Sequence, residues 1–371
     1  MIVGGKITGR GNGSVDPGRR ALLGAGAAGM LAAVLPAPAR GQTGGAQTAG
    51  AELDAPSWHG FAGRFLGADG RVTDTGNGGI SHSEGQGYGL VLATAARDRG
   101  AVDRLWGWTK RNLMVRPDGL SAWKWESGKG VTDPNNATDG DILIAWGLLR
   151  AAELWKDADL RGAALALLQA IRQHTLVRQA GMTLPLPGVT GFRRGGAVIV
   201  NPSYLIMPAF QAFAAAEPSG GWDGVIGSAL VFLAKARIGQ GQLPPDWALL
   251  AEDGSLTLPD GFRKQFGYDA IRVPLYLAWA GYRDPWYFRP YGAFAAPFGN
   301  GPIPATVSLP GGTTAQVPAS VGMLAVLRLA TRIAESGNAI VVPPLGADED
   351  YYSTVLFLLT RLAERSLGLS P

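Results

Sequence analysis

The stretch Ser81-His82-Ser83-Glu84-Gly85-Gln86-Gly87-Tyr88-Gly89-Leu90 sets one carboxylate at a glycine-lined mouth opening into an apolar helix. Ser83 and Gln86 have capping-box spacing, with the serine as N-cap and the glutamine reaching back from N3, so a helix is expected over about 84–98. Capping alone leaves Gly85, Gly87 and Gly89 unexplained, because each costs about 0.8–1 kcal/mol relative to alanine inside a helix. Glycines at those positions make sense where a bulky ligand or another backbone approaches closely.

Working outward, helical periodicity dominates the chain, and Gly/Pro/Asn-rich connections divide it. Helices are expected at about 57–66, 84–98, 101–113, 139–155, 159–175, 203–216, 222–236, 269–281, 284–296, 316–334 and 351–366. Segments such as 160–176 and 354–367 are apolar on one broad face, as in helices layered round a common core. Short extended pieces at 120–125 and 196–200 are expected as minor strands beside loops. There is no strand/helix alternation with a nucleotide-binding turn, and no fixed-period repeat. A single closed all-α barrel of paired helices is therefore expected, with inner-helix N-termini and their loops gathered at one end. Glu84 and Asp139 both stand at such starts.

With 46% hydrophobic and 17% charged residues in 371, the chain has the composition of a globular protein. A net charge of +4 with dispersed Lys and Arg gives no basic stripe for nucleic acid. The absence of cysteine removes disulfides, thiolate metal sites and cysteine nucleophiles together. Residues 1–39 read as a twin-arginine-like export signal: Gly18-Arg19-Arg20, an apolar run to Leu35, then Ala37-Pro38-Ala39 for cleavage. The competing reading is a membrane anchor, for which the run from Ala21 to Leu35 falls short of the roughly 20 residues a spanning helix needs. A flexible linker is expected over 40–55, and the folded domain over 56–371. The mature chain is expected to carry no membrane span and to be periplasmic or secreted.

Asp269 matches the isolation of Glu84, and a further segment supplies a candidate neighbour for it. In Asn136-Ala137-Thr138-Asp139-Gly140-Asp141 the Thr138/Asp141 spacing again fits a capping box, so Asp141 is assigned to structure and Asp139 to the site. Asp269, in Phe266-Gly267-Tyr268-Asp269-Ala270-Ile271-Arg272, reads as a helix N-cap, with Arg272 one turn on to keep it ionised and oriented. A helix N-terminus lowers a carboxylate's pKa, whereas a general acid must keep its proton, so Asp139 is expected to push Glu84 upward. Isolated carboxylates converging in the fold imply glycoside hydrolysis.

The aromatics suit that chemistry, since sugar rings stack their C–H faces on flat side chains. Trp123 and Trp125, two apart in an extended piece, are expected to point the same way. At most one of Trp106 and Trp108 can line a groove, because they fall on opposite helix faces. Trp247 follows the rigid Leu243-Pro244-Pro245-Asp246. A lone tryptophan is more often core than platform, and it is the set that suits a carbohydrate groove. His59, His82 and His174 lack metal-ligand spacing, and His82 is taken as a hydrogen-bonding loop residue.

Ser83-Glu84-Gly85-Gln86-Gly87-Tyr88-Gly89, Ala137-Thr138-Asp139-Gly140-Asp141 and Tyr268-Asp269-Ala270-Ile271-Arg272 together resemble glycoside hydrolase family 8 over about 58–367. Asn201-Pro202-Ser203-Tyr204, Pro244-Pro245-Asp246-Trp247 and Asp350-Tyr351-Tyr352 look like the bacterial endoglucanases that accompany cellulose synthase. Gly147 departs from the family's usual Ser or Ala, and no consequence is expected from it. The resemblance implies an (α/α)6 barrel and inverting hydrolysis of β-1,4-glucan, with no metal or organic cofactor. It implies Glu84 as general acid, Asp269 as general base, and Asp139 as the residue that binds and distorts the sugar. It also implies substrate binding by Trp123, Trp125, Tyr204, Asp246, Trp247, Tyr268, Arg272 and Tyr352, and an association with cellulose synthase. Related enzymes act on xylan, chitosan or mixed-linkage glucan, so the polymer stays open. A non-catalytic glucan-binding subunit is the reading from a different class.

Overall fold

The computed structural model describes residues 51–299, 301–335 and 339–369. The leader expected over 1–39, and the linker as far as residue 50, lie outside these. The end of that expected linker is folded: Leu53 is buried, and the Asp54 carboxylate accepts the Ser57 N–H at the start of α1 (Ala55–Phe65). A leucine and a capping aspartate thus open the fold a few residues before Pro56.

The helices that follow are α2 (Ser83–Ala95), α3 (Arg99–Asn112), α4 (Thr138–Trp155), α5 (Ala158–His174) and α6 (Met207–Ala216). Then come α7 (Trp222–Lys235), α8 (Arg272–Trp279), α9 (Pro285–Ala295), α10 (Val321–Ala334) and α11 (Tyr351–Ser366). Each answers to one expected helix, but α6, α8 and α10 begin late. The Asn201 side chain accepts the Ser203 N–H and opens a separate 3-10 turn, Pro202–Tyr204, ahead of α6. Ser320, not residue 316, caps α10 by accepting the Met323 N–H.

Helices α2, α4, α6, α8 and α11 pack in succession, α11 returns to α2, and α10 sits against α8 and α11. Outside them α3 lies on α2, α5 on α4, α7 on α6, α9 on α10 and α1 on α11. Burial separates the layers. Every residue of α2 except Glu84 is buried, as are all eight of α8, whereas α3 and α7 each bury five of fourteen. This is the expected (α/α)6 type of barrel.

Gly87 of α2 and Gly140 and Gly147 of α4 serve the approach of the two backbones, whereas Gly85 makes room for the Tyr351 hydroxyl and the His82 ring and Gly89 for Leu105 and Val72. A Cβ on Gly87 would lie 2.4 Å from Leu143 Cβ, one on Gly140 2.1 Å from Ser83 Oγ, and one on Gly147 2.6 Å from Leu90 Cβ. Helices α2 and α4 therefore touch along a seam that side chains would force open. Gly147, from which no consequence was expected, belongs to that seam. The minor strands are all antiparallel. One sheet joins β1 (Ser81–His82), β2 (Lys124–Glu126) and β3 (Gly130–Asp133), placing it at the foot of α2. A four-stranded sheet joins Arg193–Arg194, Ala197–Val200, Ala248–Leu250 and Leu256–Thr257.

Candidate active site

Glu84 enters from the first turn of α2, but the cap is not the expected one. His82 precedes the helix, and its Nδ1 accepts the Gly85 N–H at 2.9 Å. That bond leaves the ring proton on Nε2, which faces Asp74 Oδ2 at 3.3 Å. Ser83 is already helical, with a buried hydroxyl that finds no hydrogen-bond partner among the described residues. Gln86 does not reach back. It is fully buried against α3, where its Oε1 accepts the Val72 N–H and its amide donates to Gly70 O and Thr109 Oγ1. A buried amide must be satisfied where it lies, and this one ties the 70–72 turn to α2 and α3.

The capping box expected at α4 is likewise absent: Ala137 is the N-cap position and offers no side-chain bond. Asp141 has the structural role assigned to it. One of its oxygens accepts the Ser121 N–H and hydroxyl at 2.8 and 2.6 Å, and the other accepts Asn136 Nδ2 at 2.9 Å. Burial pushes its pKa up to about 6 against those bonds. Asp139, one turn-position away, hydrogen-bonds Glu84 across the seam, and its Oδ1 accepts the Gly140 N–H.

Asp269 caps no helix. It lies in a tight turn before α8, where Ile271 N–H donates to Gly267 O and Arg272 N–H to Asp269 O. Asp246 holds that turn: its Oδ1 accepts the N–H groups of Gly267, Asp269 and Ala270 at 3.0, 3.2 and 2.8 Å. Arg272 then joins the acids. Its Nη1 contacts Glu84 Oε1, and its Nη2 donates to Asp269 Oδ1 at 3.0 Å and to Ser203 Oγ at 2.8 Å.

The electrostatics reverse the direction expected for Glu84. Its burial favours the protonated form, but the Arg272 guanidinium, helped by the neighbouring His82 and a hydrogen bond from Asp139, turns the balance and the carboxyl is held well below the usual range. Burial and the adjacent Glu84 charge push Asp139 well above that range. Two touching buried carboxyls carry one proton between them, and here it rests on Asp139 because the arginine stands against the other member.

Tyr204 is buried beside all three acids, which together with burial keep its hydroxyl protonated. Its ring packs at 6.3 Å from that of Trp247, which also stacks on Phe192 and packs against Phe262. Tyr352 donates to Tyr268 O, and the two rings meet edge to face, behind Asp269. Trp123 and Trp125 are half-buried. A register shift between Lys124 and Trp125 breaks the alternation behind their expected common direction, and Trp125 is flanked by Trp108 and Arg71. Of the helical pair, Trp108 is buried and Trp106 half-buried, as opposite faces require.

The sequence reading missed the Asp74–His82 pair and the Tyr276–Tyr88 hydroxyl pair, which is 2.7 Å apart and runs on from Tyr88 to Glu84 at 3.3 Å. The second had a signal. Tyr88 is four residues after Glu84 and Tyr276 four after Arg272, so each shares a helix face with a charged residue.

Residues 43–366 match the model of the glycosyl hydrolases family 8. An endoglucanase of Cellulomonas uda is 38% identical over 244 residues, 65% of this chain and 66% of that protein. A probable endoglucanase of Novacetimonas hansenii is 38% identical over 314 residues, 83% of this chain and 90% of that one. The solved endo-β-1,4-glucanase of Acetobacter xylinum superposes with a TM-score of 0.79 at 35% identity, covering 85% of this chain and 98% of that structure. A closed barrel of paired helices, two acids joined by one arginine with a third acid bonded to the first, and these likenesses lead to one assignment: the chain belongs to glycoside hydrolase family 8.

Proposed function

We propose that this chain cuts internal β-1,4-glucosidic bonds of cellulose or a related β-glucan with inversion at the anomeric carbon. Glu84 is the general acid, Asp269 the general base, and Asp139 the proton partner of Glu84 that also binds the sugar at the cleavage point. The carrying observation is the guanidinium of Arg272, which stands between Glu84 and Asp269 and bonds each at one end. Carboxyls so spaced are not in mutual contact, and a wider gap of roughly 6.5–9.5 Å is what leaves room for the attacking water in an inverting enzyme.

Without sugar, Glu84 is ionised and the shared proton sits on Asp139. A sugar entering the cleavage point excludes water from Glu84 and competes with its arginine contact. Both changes favour transfer of the proton from Asp139 to Glu84. Glu84 then donates it to the leaving oxygen while Asp269, oriented by Arg272, takes a proton from the water attacking the anomeric carbon. Tyr204, Tyr268 and Tyr352 place the water and base, and Trp123, Trp125 and Trp247 line the approach. The endoglucanase-like segments at 201–204, 244–247 and 350–352 extend the proposal to an exported enzyme acting alongside cellulose synthesis. Among the described residues, no helix is long and apolar enough to cross a membrane.

The test is reducing-sugar release from carboxymethylcellulose, barley β-glucan, xylan and chitosan by the wild type and by Glu84→Gln, with NMR of the first-formed anomer. Wild-type-only cleavage, strongest on a β-glucan and giving the α-anomer first, is expected. First release of the β-anomer removes the inverting assignment. Activity confined to xylan or chitosan changes the polymer, and undiminished activity of Glu84→Gln removes Glu84 as the acid.

A further inference from the structure

We propose that Asp246 is a positioning residue for the general base: its carboxylate folds the turn that aims Asp269 and makes no bond to sugar. The inference rests on the reading of Asp269 as the base. Sequence resemblance grouped Asp246 with the substrate-binding residues, but its surroundings give it other work. The residue is 3% exposed. Its Oδ1 accepts three backbone N–H groups, from Gly267, Asp269 and Ala270, and its Oδ2 accepts Gln265 Nε2 at 2.9 Å. Three backbone donors crowd Oδ1 and the Gln265 amide takes one side of Oδ2, about as many bonds as a carboxylate accepts, and burial keeps a sugar hydroxyl from the remaining side.

The same segment grips Asp246 from the backbone, since its own N–H donates to Gln265 O at 2.7 Å. Asp269 is thereby held on two sides: its N–H by Asp246, and its C=O by the Arg272 N–H. Gly267 belongs to the device. A Cβ there would lie 3.1 Å from Asp246 Oδ2 and 2.8 Å from both Gln265 Nε2 and Thr306 Cγ2, so a side chain would keep the turn from closing on its acceptor. The next residue, Trp247, packs its ring against Tyr204, which stands beside all three acids. The short loop after Pro244-Pro245 therefore braces the base from behind and the tyrosine from the side.

A base displaced by about 1 Å loses roughly 100-fold in rate. The experiment compares wild type, Asp246→Ala and Asp246→Asn for kcat and KM on barley β-glucan, with calorimetric binding of cellohexaose and thermal melting of each. Asp246→Ala is expected to lose about 100-fold in kcat, with KM and oligosaccharide affinity within about threefold of wild type. Asp246→Asn keeps an oxygen that can accept the three N–H groups and is expected to recover all but about tenfold of kcat. A raised KM with retained kcat would mean that Asp246 binds sugar and overturns the proposal, as would equal kcat losses in the two variants. If Asp246→Ala does not fold, the kcat/KM split of Asp246→Asn decides between the same outcomes. An inactive wild type strikes at the functional reading instead, while an active wild type with an unimpaired Asp246→Ala strikes at this inference alone.

Discussion

Replacing Arg272 by methionine removes a cation placed between two acids, and the structure sets both the size and the pH dependence of the effect. Arg272 is 2% exposed, and the side chains of Glu84 and Asp269 are 14% and 7% exposed, so solvent screens the contacts little. Breaking a buried pair by removing one partner costs about 3–5 kcal/mol, because the remaining charge is buried without compensation. The cost depends on protons. In the wild type, the depressed pKa of Glu84 contributes stability that is present above its unfolded value near 4.3 and lost as pH falls through its folded one. Without the arginine, burial, the largest influence on Glu84, raises it instead. Stability is then present below the unfolded value and lost as pH rises through the new one. The difference between the proteins should therefore be about 3–5 kcal/mol near pH 7 and shrink to about 1–2 kcal/mol near pH 4, where the carboxyls can take protons. Urea unfolding at the two pH values measures it. Arg272→Lys supplies a point charge rather than a fork, so it should recover part of the stability while leaving hydrolysis impaired. A penalty below about 1 kcal/mol near pH 7, or one that does not change with pH, refutes the idea that Arg272 compensates two ionised acids.

Gly140→Ala places a Cβ 2.1 Å from Ser83 Oγ and 2.7 Å from the Glu84 nitrogen. It should cost about 1–3 kcal/mol in urea unfolding and lower kcat more than KM worsens, because it pushes the acid. Gly162→Ala, whose Cβ would meet nothing within 4 Å on α5, should stabilise by about 0.4–1 kcal/mol, and equal effects of the two variants would show that the seam is not tight. Asp141→Asn tests a buried titration. A carboxyl raised to about 6 contributes stability that is fully present below about pH 4 and lost as pH rises through 6. The wild type should lose about 2 kcal/mol relative to Asp141→Asn between pH 4 and pH 7, and a flat difference over that window would contradict the assignment.

The helices were legible because long, largely apolar segments bounded by Gly, Pro and Asn are a local property that tertiary packing reinforced, whether one face is buried, as in α3, or nearly all, as in α2. Their starts were less so. The Ser83/Gln86 and Thr138/Asp141 spacings match a capping box, yet in each case the second residue found a stronger use out of reach of sequence: Gln86 between α2 and α3, Asp141 on Ser121 and Asn136. Strands such as Leu176–Gln179 and Leu256–Thr257 are too short to display a period, and only their partners define them. Glu84 and Asp269 could be picked out because each stands alone before an apolar segment, whereas Asp139 had to be separated from Asp141 two residues on. Which of the three carries the proton could not be picked out, since that depends on Arg272, 188 residues from Glu84, arriving against one acid and not the other.

The proposed acid and the proposed base are held by different physics. Glu84 and Asp139 ride on two inner helices whose relative position is set by a glycine seam, so steric contact fixes the pair that shares the proton. Asp269 has no helix beneath it, and a turn of this kind would keep conformational freedom if its N–H groups were not bound elsewhere. Asp246 and Arg272 take up that freedom from either side, and Arg272 alone reaches across to Glu84. A change in the seam should thus act on proton donation first and a change around Asp246 on water activation first. The arginine between them is where the two failures become one.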